Sequence, residues 1–440
     1  LSVVLAVRLN IHTMSARGDV TSKRNTQHVE ESIDFLREKI LQKCHEMYVQ
    51  PELGLLEIAK ELKLECNPPK KKINILLIGN HSVGKSSFIN WYIGEHVQKT
   101  GVAIETQGFS FIVHGKKRDT LCGETTLRLL PYLNFLREKK GLLDYLNCEV
   151  STSRERHFPL VTLIDTPGLV DGGMVYPFDV NDVIVSLADV VDLALVFFDP
   201  VGQALCKRTL DIAELLNHRC PEKIRFYLSK ADDAGTETDR QRVMMQIVQE
   251  LCKRPGLNKQ GFDMPCIYIP NPNKSVKCMN QIESLCTDIR RTVNLSVQNV
   301  LQKVDTDCKR FSYLLEALLQ SDKYYKRKNF QSTILRSVVF TWCLFSLCCL
   351  IGPIRDSFKM SLHLAFGPVF GDVPFYLALN VFGTVILIVL VGLSPRLFPI
   401  KERLNSSKLS KMYKAIHTAI LPEKEALFYE YLKSLSEELE

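Results

Sequence analysis

Residues 78 to 88 read IGNHSVGKSSF and follow the apolar run INILL. Gly79, Gly84, Lys85 and Ser86 stand in the pattern GxxxxGK[ST], and these residue types at this spacing suit the cradling of phosphate. The two glycines let the backbone turn tightly, so that successive N–H groups and the start of the next helix point at one anion. Asn80, Val83 and Ser87 belong to the same expected contact set. Lys85 supplies a point charge for the β- and γ-phosphates, and the Ser86 hydroxyl is suited to the coordination shell of Mg²⁺.

Further along, LVTLIDTPGLVDGG places Asp165, Thr166, Pro167 and Gly168 at the end of an apolar run. Asp165 is positioned to hold Mg²⁺ through water, and the Gly168 N–H can meet a γ-phosphate because glycine has no side chain in the way. FYLSKADD then offers Ser229, Lys230 and Asp232. In the common [NT]KxD form the aspartate accepts from the N1 and N2 donors of guanine, which adenine lacks, and the lysine stem covers the base. Serine at the first position makes guanine selectivity less secure. A switch threonine is expected between these motifs, where KTGVAIETQGFSF offers Thr100 and Thr106.

These side chains need a scaffold that brings strand ends together. From 73 to about 271, the runs INILLIG, LVTLID, VVDLALVFFD, IRFYLS and CIYIP alternate with helical stretches, which predicts a largely parallel sheet wrapped by helices. Before it, Val29, Ile33, Leu36, Ile40 and Met47 have helical spacing. After it, Ile282, Leu285, Ile289, Val293, Val297, Val300, Val304, Phe311, Leu315 and Leu318 recur at steps of three or four, or of seven across Cys308. This long pattern predicts a helical stalk.

Two uncharged apolar runs follow, SVVFTWCLFSLCCLIGPI from Ser337 and FYLALNVFGTVILIVLVGL from Phe375. Each is about long enough to cross a ~30 Å hydrocarbon layer. Lys326, Arg327, Lys328 and Arg336 precede them, and Arg396, Lys401 and Arg403 follow. The positive-inside rule then places both ends in the cytosol and the loop across or within the bilayer. The expected organisation is a flexible N-terminus (1–28), N-terminal helices (29–70), a nucleotide-binding domain (71–275), a stalk (276–330), a membrane hairpin (331–400) and a cytosolic tail (401–440). Buried core helices and a shallow re-entrant hairpin are the alternatives for the two runs.

Composition agrees with this plan. The 46% hydrophobic content of the 440 residues supports real cores; the net charge of +7 is modest, and the basic residues cluster near 323–336 and 396–414, which suits anionic lipid rather than nucleic acid. Fourteen cysteines form no CxxC pair and indicate reduced thiols in a cytosol-facing chain. LSVVLAVRLN makes a poor signal peptide, and with Leu1 as the first residue Met14 is the expected natural start.

GNHSVGKSS, ETQGFSFIVHG, IDTPGL and SKAD with its following helix resemble the dynamin superfamily of large GTPases, and within it the branch of EH-domain ATPases. The resemblance covers about 30 to 310. It implies an α/β P-loop NTPase fold with a dynamin-type G domain flanked by helices, GTP with Mg²⁺ as the bound pair, and a nucleotide-dependent homodimer or higher oligomer through the G domain. It selects Thr106 over Thr100 as the residue meeting Mg²⁺ and γ-phosphate. It also implies that His81 helps place the attacking water, and that Ser82 helps compensate charge in the dimer. The chain departs from the group in three ways. Family members carry Gln or Tyr where His81 stands, no EF-hand loop follows the stalk, and an apolar hairpin replaces peripheral membrane binding. The EH-domain branch also uses ATP, which leaves both nucleotides open. Two readings result: a membrane-anchored enzyme on an intracellular organelle, with its G domain in the cytosol, that hydrolyses GTP to remodel or tether membrane; or a nucleotide-regulated scaffold with negligible turnover.

Overall fold

The computed structural model describes residues 32–101, 106–153, 158–171, 176–202, 205–259, 263–274, 276–348 and 405–439, together with 360, 381–386, 389 and 392. In chain order the elements are α1 (32–49), α2 (Leu55–Glu61), β1 (Ile73–Gly79), α3 (Lys85–Ile93), β2 (Phe109–His114), β3 (Asp119–Cys122), α4 (Glu124–Leu129), β4 (Leu146–Ser151) and β5 (Val161–Asp165). Then come α5 (Val180–Leu187), β6 (Leu193–Phe198), α6 (Lys207–Arg219), β7 (Ile224–Leu228), α7 (Glu237–Cys252), α8 (Ile282–Cys348), α9 (Ser406–Ala415) and α10 (Leu421–Leu439). The chain divides into two units. One comprises 1–49, 67–304 and 424–440, the other 50–66 and 305–423.

The first unit is built on a seven-stranded sheet in the order β3-β4-β2-β5-β1-β6-β7. Its centre follows from composition. β1 is buried along its whole length, as an apolar run without alternation requires when helices cover both faces. It lies parallel to both β5 and β6. Leu76 and Ile78 face one large core cluster. The α3 residue Phe88 packs edge-on against Phe197 of β6, with ring centroids 5.8 Å apart. The one polar residue of β1, Asn74, is fully buried and satisfied: its amide donates to the Val190 carbonyl at 2.9 Å, and the Tyr132 hydroxyl donates to its Oδ1 at 2.9 Å.

The sheet is mixed. β2 runs antiparallel to β5 and β3 antiparallel to β4; β2, β3 and β4 lie between the P-loop and the IDTPGL segment. CIYIP, expected as a fifth strand, makes only a bridge between Cys266 and Leu228. Ile267 N–H still donates to the Leu228 carbonyl at 2.8 Å, so the segment follows β7 without becoming a ladder, and Pro270 removes the donor needed to extend it.

The same unit holds α1, α8 up to residue 304, and α10 from residue 424. Lys39 of α1 pairs with Glu430 of α10 at 3.2 Å. The Tyr431 hydroxyl of α10 is 3.0 Å from the Gln298 amide of α8 and 3.4 Å from the Asn294 carbonyl. The tail after 401 therefore divides: α10 returns to the first unit, where Leu427 and Tyr431 are buried. Ile282, Leu285, Ile289, Val293, Val297 and Val304 form the buried face of α8, with Leu301 rather than Val300 completing it.

In the second unit, Lys408 of α9 reaches Glu61 of α2 at 2.5 Å, and Lys326 of α8 reaches the Ser406 hydroxyl at 2.6 Å. Leu55 and Ile58 of α2, Phe311 and Leu315 of α8, and Leu409 and Met412 of α9 are all buried. α8 continues without a break to Cys348, beyond the stalk boundary expected at 330, and carries the first part of the Ser337 run. The remainder of that run, most of the Phe375 run and the N-terminus lie outside the described residues. Among the described residues, no helix is long and apolar enough to cross a membrane.

Candidate nucleotide site

The loop after β1 is shaped by two glycines for different reasons. A Cβ on Gly79 would stand 2.6 Å from the Phe197 carbonyl oxygen and 2.9 Å from Val83 Cγ1, so only glycine lets β1 run beside β6 and turn away. Gly84 has open space around it but a φ of 98°, a left-handed conformation that a side chain would oppose. It precedes α3, whose first residue is Lys85. The N-terminal end of α3 is thereby aimed into the loop.

The IDTPGL segment closes the loop from one side. His81 N–H donates to the Leu169 carbonyl and Leu169 N–H to the Gly79 carbonyl, each at 3.1 Å. Gly168 passes against the loop so closely that a Cβ would stand 2.7 Å from His81 Cα. The Thr166 hydroxyl donates to the Leu77 carbonyl at 2.8 Å, which ties the segment back to β1.

Lys85 is buried, and its ammonium donates to the Gly79 and Asn80 carbonyls at 3.2 and 3.1 Å. Burial pushes its pKa down, and the neighbouring Asp165 opposes that shift. Asp165 is fully buried; burial pushes its carboxyl up, against the pull of Lys85, Ser86 and Thr106. The Ser86 hydroxyl donates to Asp165 Oδ2 at 2.5 Å and lies 3.3 Å from Thr106 Oγ1. Asp165 Oδ1 is buried without a hydrogen-bond partner. Two hydroxyls and a carboxylate with a spare oxygen form the hard-donor set that Mg²⁺ prefers, the rest of its shell coming from water and phosphate. Ser86, Thr106 and Asp165 would hold the ion, which when bound would neutralise charge on the β- and γ-phosphate oxygens.

A cavity of about 280 Å³ opens over these residues. Residues 81–87, Thr106, Gly168 and Lys230 form its wall as the motifs lead one to expect, and Lys99, Thr100 and Gly101 join them. Gly79 and Asn80 lie beneath, where their carbonyls hold Lys85. Ser229 does not reach the cavity wall. Its hydroxyl is buried, 2.8 Å from the Val83 carbonyl and 3.1 Å from that of Phe198, so it ties the end of β7 to the P-loop. Asp232 also stands off the wall.

Three positioning contacts carry no motif in the sequence. Asp199, at the end of β6, accepts from the Val201 and Gly202 N–H groups at 2.9 and 3.2 Å and pairs with Lys230 at 3.2 Å. Thr209 of α6 donates to Asn80 Oδ1 at 2.5 Å. Lys274 pairs with Asp232 at 2.7 Å. FFDP after an apolar run could have marked Asp199; Thr209 and Lys274 become visible only once α6 and the loop after 270 are placed.

The sequence profile of the family described as 50S ribosome-binding GTPase matches residues 74–230. With the mixed sheet and the phosphate cradle, this defines a P-loop GTPase fold, followed by a helical C-terminal region. No curated protein matches the chain significantly. Among solved structures, the chain is similar to one member of an oligomerised bacterial dynamin pair involved in long-range sensing and tethering of membranes, at 13% identity, covering 93% of this chain and 78% of that one, with a TM-score of 0.42. It is similar to Toc33 from Arabidopsis thaliana at 15% identity, 54% and 90% coverage and a TM-score of 0.33. The corresponding figures for Era from Aquifex aeolicus with GDP and AlF4⁻ are 14%, 50% and 56%, and 0.29.

Proposed function

We propose that this chain is a membrane-anchored, dynamin-like GTPase that hydrolyses GTP with Mg²⁺ and couples turnover to membrane remodelling or tethering. One observation carries the enzymatic part: Ser86, Thr106 and Asp165 converge beside a buried Lys85, the full set of phosphate and metal contacts that phosphoryl transfer from a P-loop requires. With little covalent chemistry for the protein to do, positioning and charge neutralisation supply the rate. Lys85 and the N–H groups at the start of α3 bind the phosphates, Gly168 N–H meets the γ-phosphate, and His81 orients the attacking water.

The dynamin-like and EH-domain-like part rests on the motif set GNHSVGKSS, ETQGFSFIVHG, IDTPGL and SKAD, and on helices from both sides of the sheet in one unit. Such proteins act as G-domain dimers or larger assemblies, and Ser82 serves that contact. Membrane anchoring rests on the uncharged runs from Ser337 and Phe375 between basic flanks. An organelle membrane with the G domain in the cytosol suits the cysteine-rich, reduced chain. His81 and Ser229 depart from the usual residues and leave room for the second reading, a nucleotide-regulated scaffold that binds GTP or ATP with negligible turnover.

Phosphate release from GTP and from ATP by the full-length protein in liposomes, with Mg²⁺ and with Lys85→Ala as control, separates these readings. GTP turnover that vanishes in the variant supports the enzyme; tight binding with no release in either case leaves the scaffold. Alkaline carbonate treatment of membranes carrying the protein tests the anchor, because release into the supernatant would make it peripheral.

A further inference from the structure

SKADD and the loop after 270 are tied to each other. Ala231 N–H donates to the Ile267 carbonyl at 3.2 Å, and Asp233 N–H donates to the Lys230 carbonyl at 3.0 Å, closing a turn that sets Asp232 and Asp233 side by side. From Ile267 the chain runs through Pro270 and Pro272 into a second turn. There Asn271 Oδ1 accepts from Asn273 N–H at 3.0 Å, and its carbonyl accepts from Lys274 N–H at 3.1 Å. Two prolines and an asparagine-built turn leave this loop few conformations. Lys274, which closes that turn, donates to Asp232 Oδ2 at 2.7 Å and also to Asp233. The Asp232 side chain is 14% exposed and that of Lys274 37%. The cavity that holds the P-loop residues ends at Lys230 and does not reach Asp232.

We infer that Lys274 is a specificity-determining residue: it latches the base-reading carboxylate of Asp232, and a base must displace it to be read. This deepens the proposed function and rests on it. The chemistry is a competition between donors. A lysine ammonium has three N–H donors and no acceptor, and guanine presents two donors, N1–H and N2–H, to the same carboxylate. Guanine can replace what the carboxylate loses on leaving Lys274. Adenine has no such donor pair, so an adenine nucleotide held by its phosphates leaves the Asp232–Lys274 pair closed. The latch therefore lowers affinity for guanine nucleotides and leaves affinity for adenine nucleotides unchanged. Because the pair is partly exposed, its contribution is modest and is screened by salt.

The test is the affinity of full-length protein in detergent for fluorescent GTP and ATP, at low and high salt, in wild type, Lys274→Ala, Lys274→Gln and Lys274→Arg. Lys274→Ala and Lys274→Gln are expected to bind GTP about threefold to fivefold more tightly at low salt, as loss of a surface ion pair allows. The gain should shrink at high salt, ATP affinity should not move, and Lys274→Arg should behave as wild type. Unchanged or weakened GTP binding in Lys274→Ala, or an equal gain for ATP, overturns the latch while nucleotide binding stands. If folded wild type and variants bind neither nucleotide, the proposed function falls and the latch with it.

Discussion

The Ser86 hydroxyl donates to the Asp165 carboxylate across 2.5 Å, joining the first turn of α3 to the end of β5 at the place where Mg²⁺ fits. The two residues are far apart in sequence and adjacent because β5 pairs in parallel with β1, the strand that leads into the P-loop. Ser86→Asn keeps a polar side chain but removes the hydroxyl ligand. It is expected to weaken GTP binding in Mg²⁺ buffer by roughly tenfold to a hundredfold, the range for a hydrogen bond to a charged group. Chelating Mg²⁺ should bring wild type down to the variant's level in the same fluorescence titration. Equal affinities with Mg²⁺ present would remove Ser86 from the site.

Thr106 stands 3.3 Å from Ser86 on the far side of the same donor set. In the proposed role its hydroxyl would matter most with a γ-phosphate present to complete the Mg²⁺ shell. Thr106→Ala should bind GDP as wild type does and slow GTP turnover on the order of 100-fold, the usual effect of losing one group that stabilises the transition state. Single-turnover phosphate release checks this. A full rate in the variant would transfer the role to Thr100, which lines the same cavity.

Gly168→Ala places a Cβ 2.7 Å from His81 Cα and 3.0 Å from its nitrogen. Both neighbours are backbone, so the P-loop or the IDTPGL segment must shift. The expected cost is about 1–3 kcal/mol of stability, together with lost GTP binding, read by thermal unfolding with and without nucleotide. A variant as stable and as responsive to GTP as wild type would show that the two segments separate freely.

Ser229→Ala breaks the tie between the end of β7 and the Val83 carbonyl. Removal of this buried hydrogen bond should cost about 1 kcal/mol. The tie holds the loop rather than touching a base, so GTP and ATP affinities should fall by the same factor. A fall confined to GTP would instead make Ser229 a base-reading residue.

The sequence by itself determined the chemistry of the phosphate site. Glycines at 79 and 84 with Lys85 and Ser86, after an unbroken apolar run, already define a loop that must follow a central strand, because local backbone restrictions and hydrophobic burial act over a few residues. The apolar runs of β1, β5, β6 and β7 were legible for the same reason. Tertiary structure alone decided what depends on distant partners. CIYIP has a strand's composition, but Pro270 and a single pairing edge reduce it to a bridge. β2, β3 and β4 take their places from pairing with β5 and with one another. α10 has no distinguishing motif, and only its contacts with Lys39 and Gln298 return it to the first unit. Ser229 and Asp232 stand in one short motif, yet one turns inward to the Val83 carbonyl and the other outward to Lys274. Sequence spacing places a side chain on a loop, and the packing of neighbouring segments decides which partner it meets.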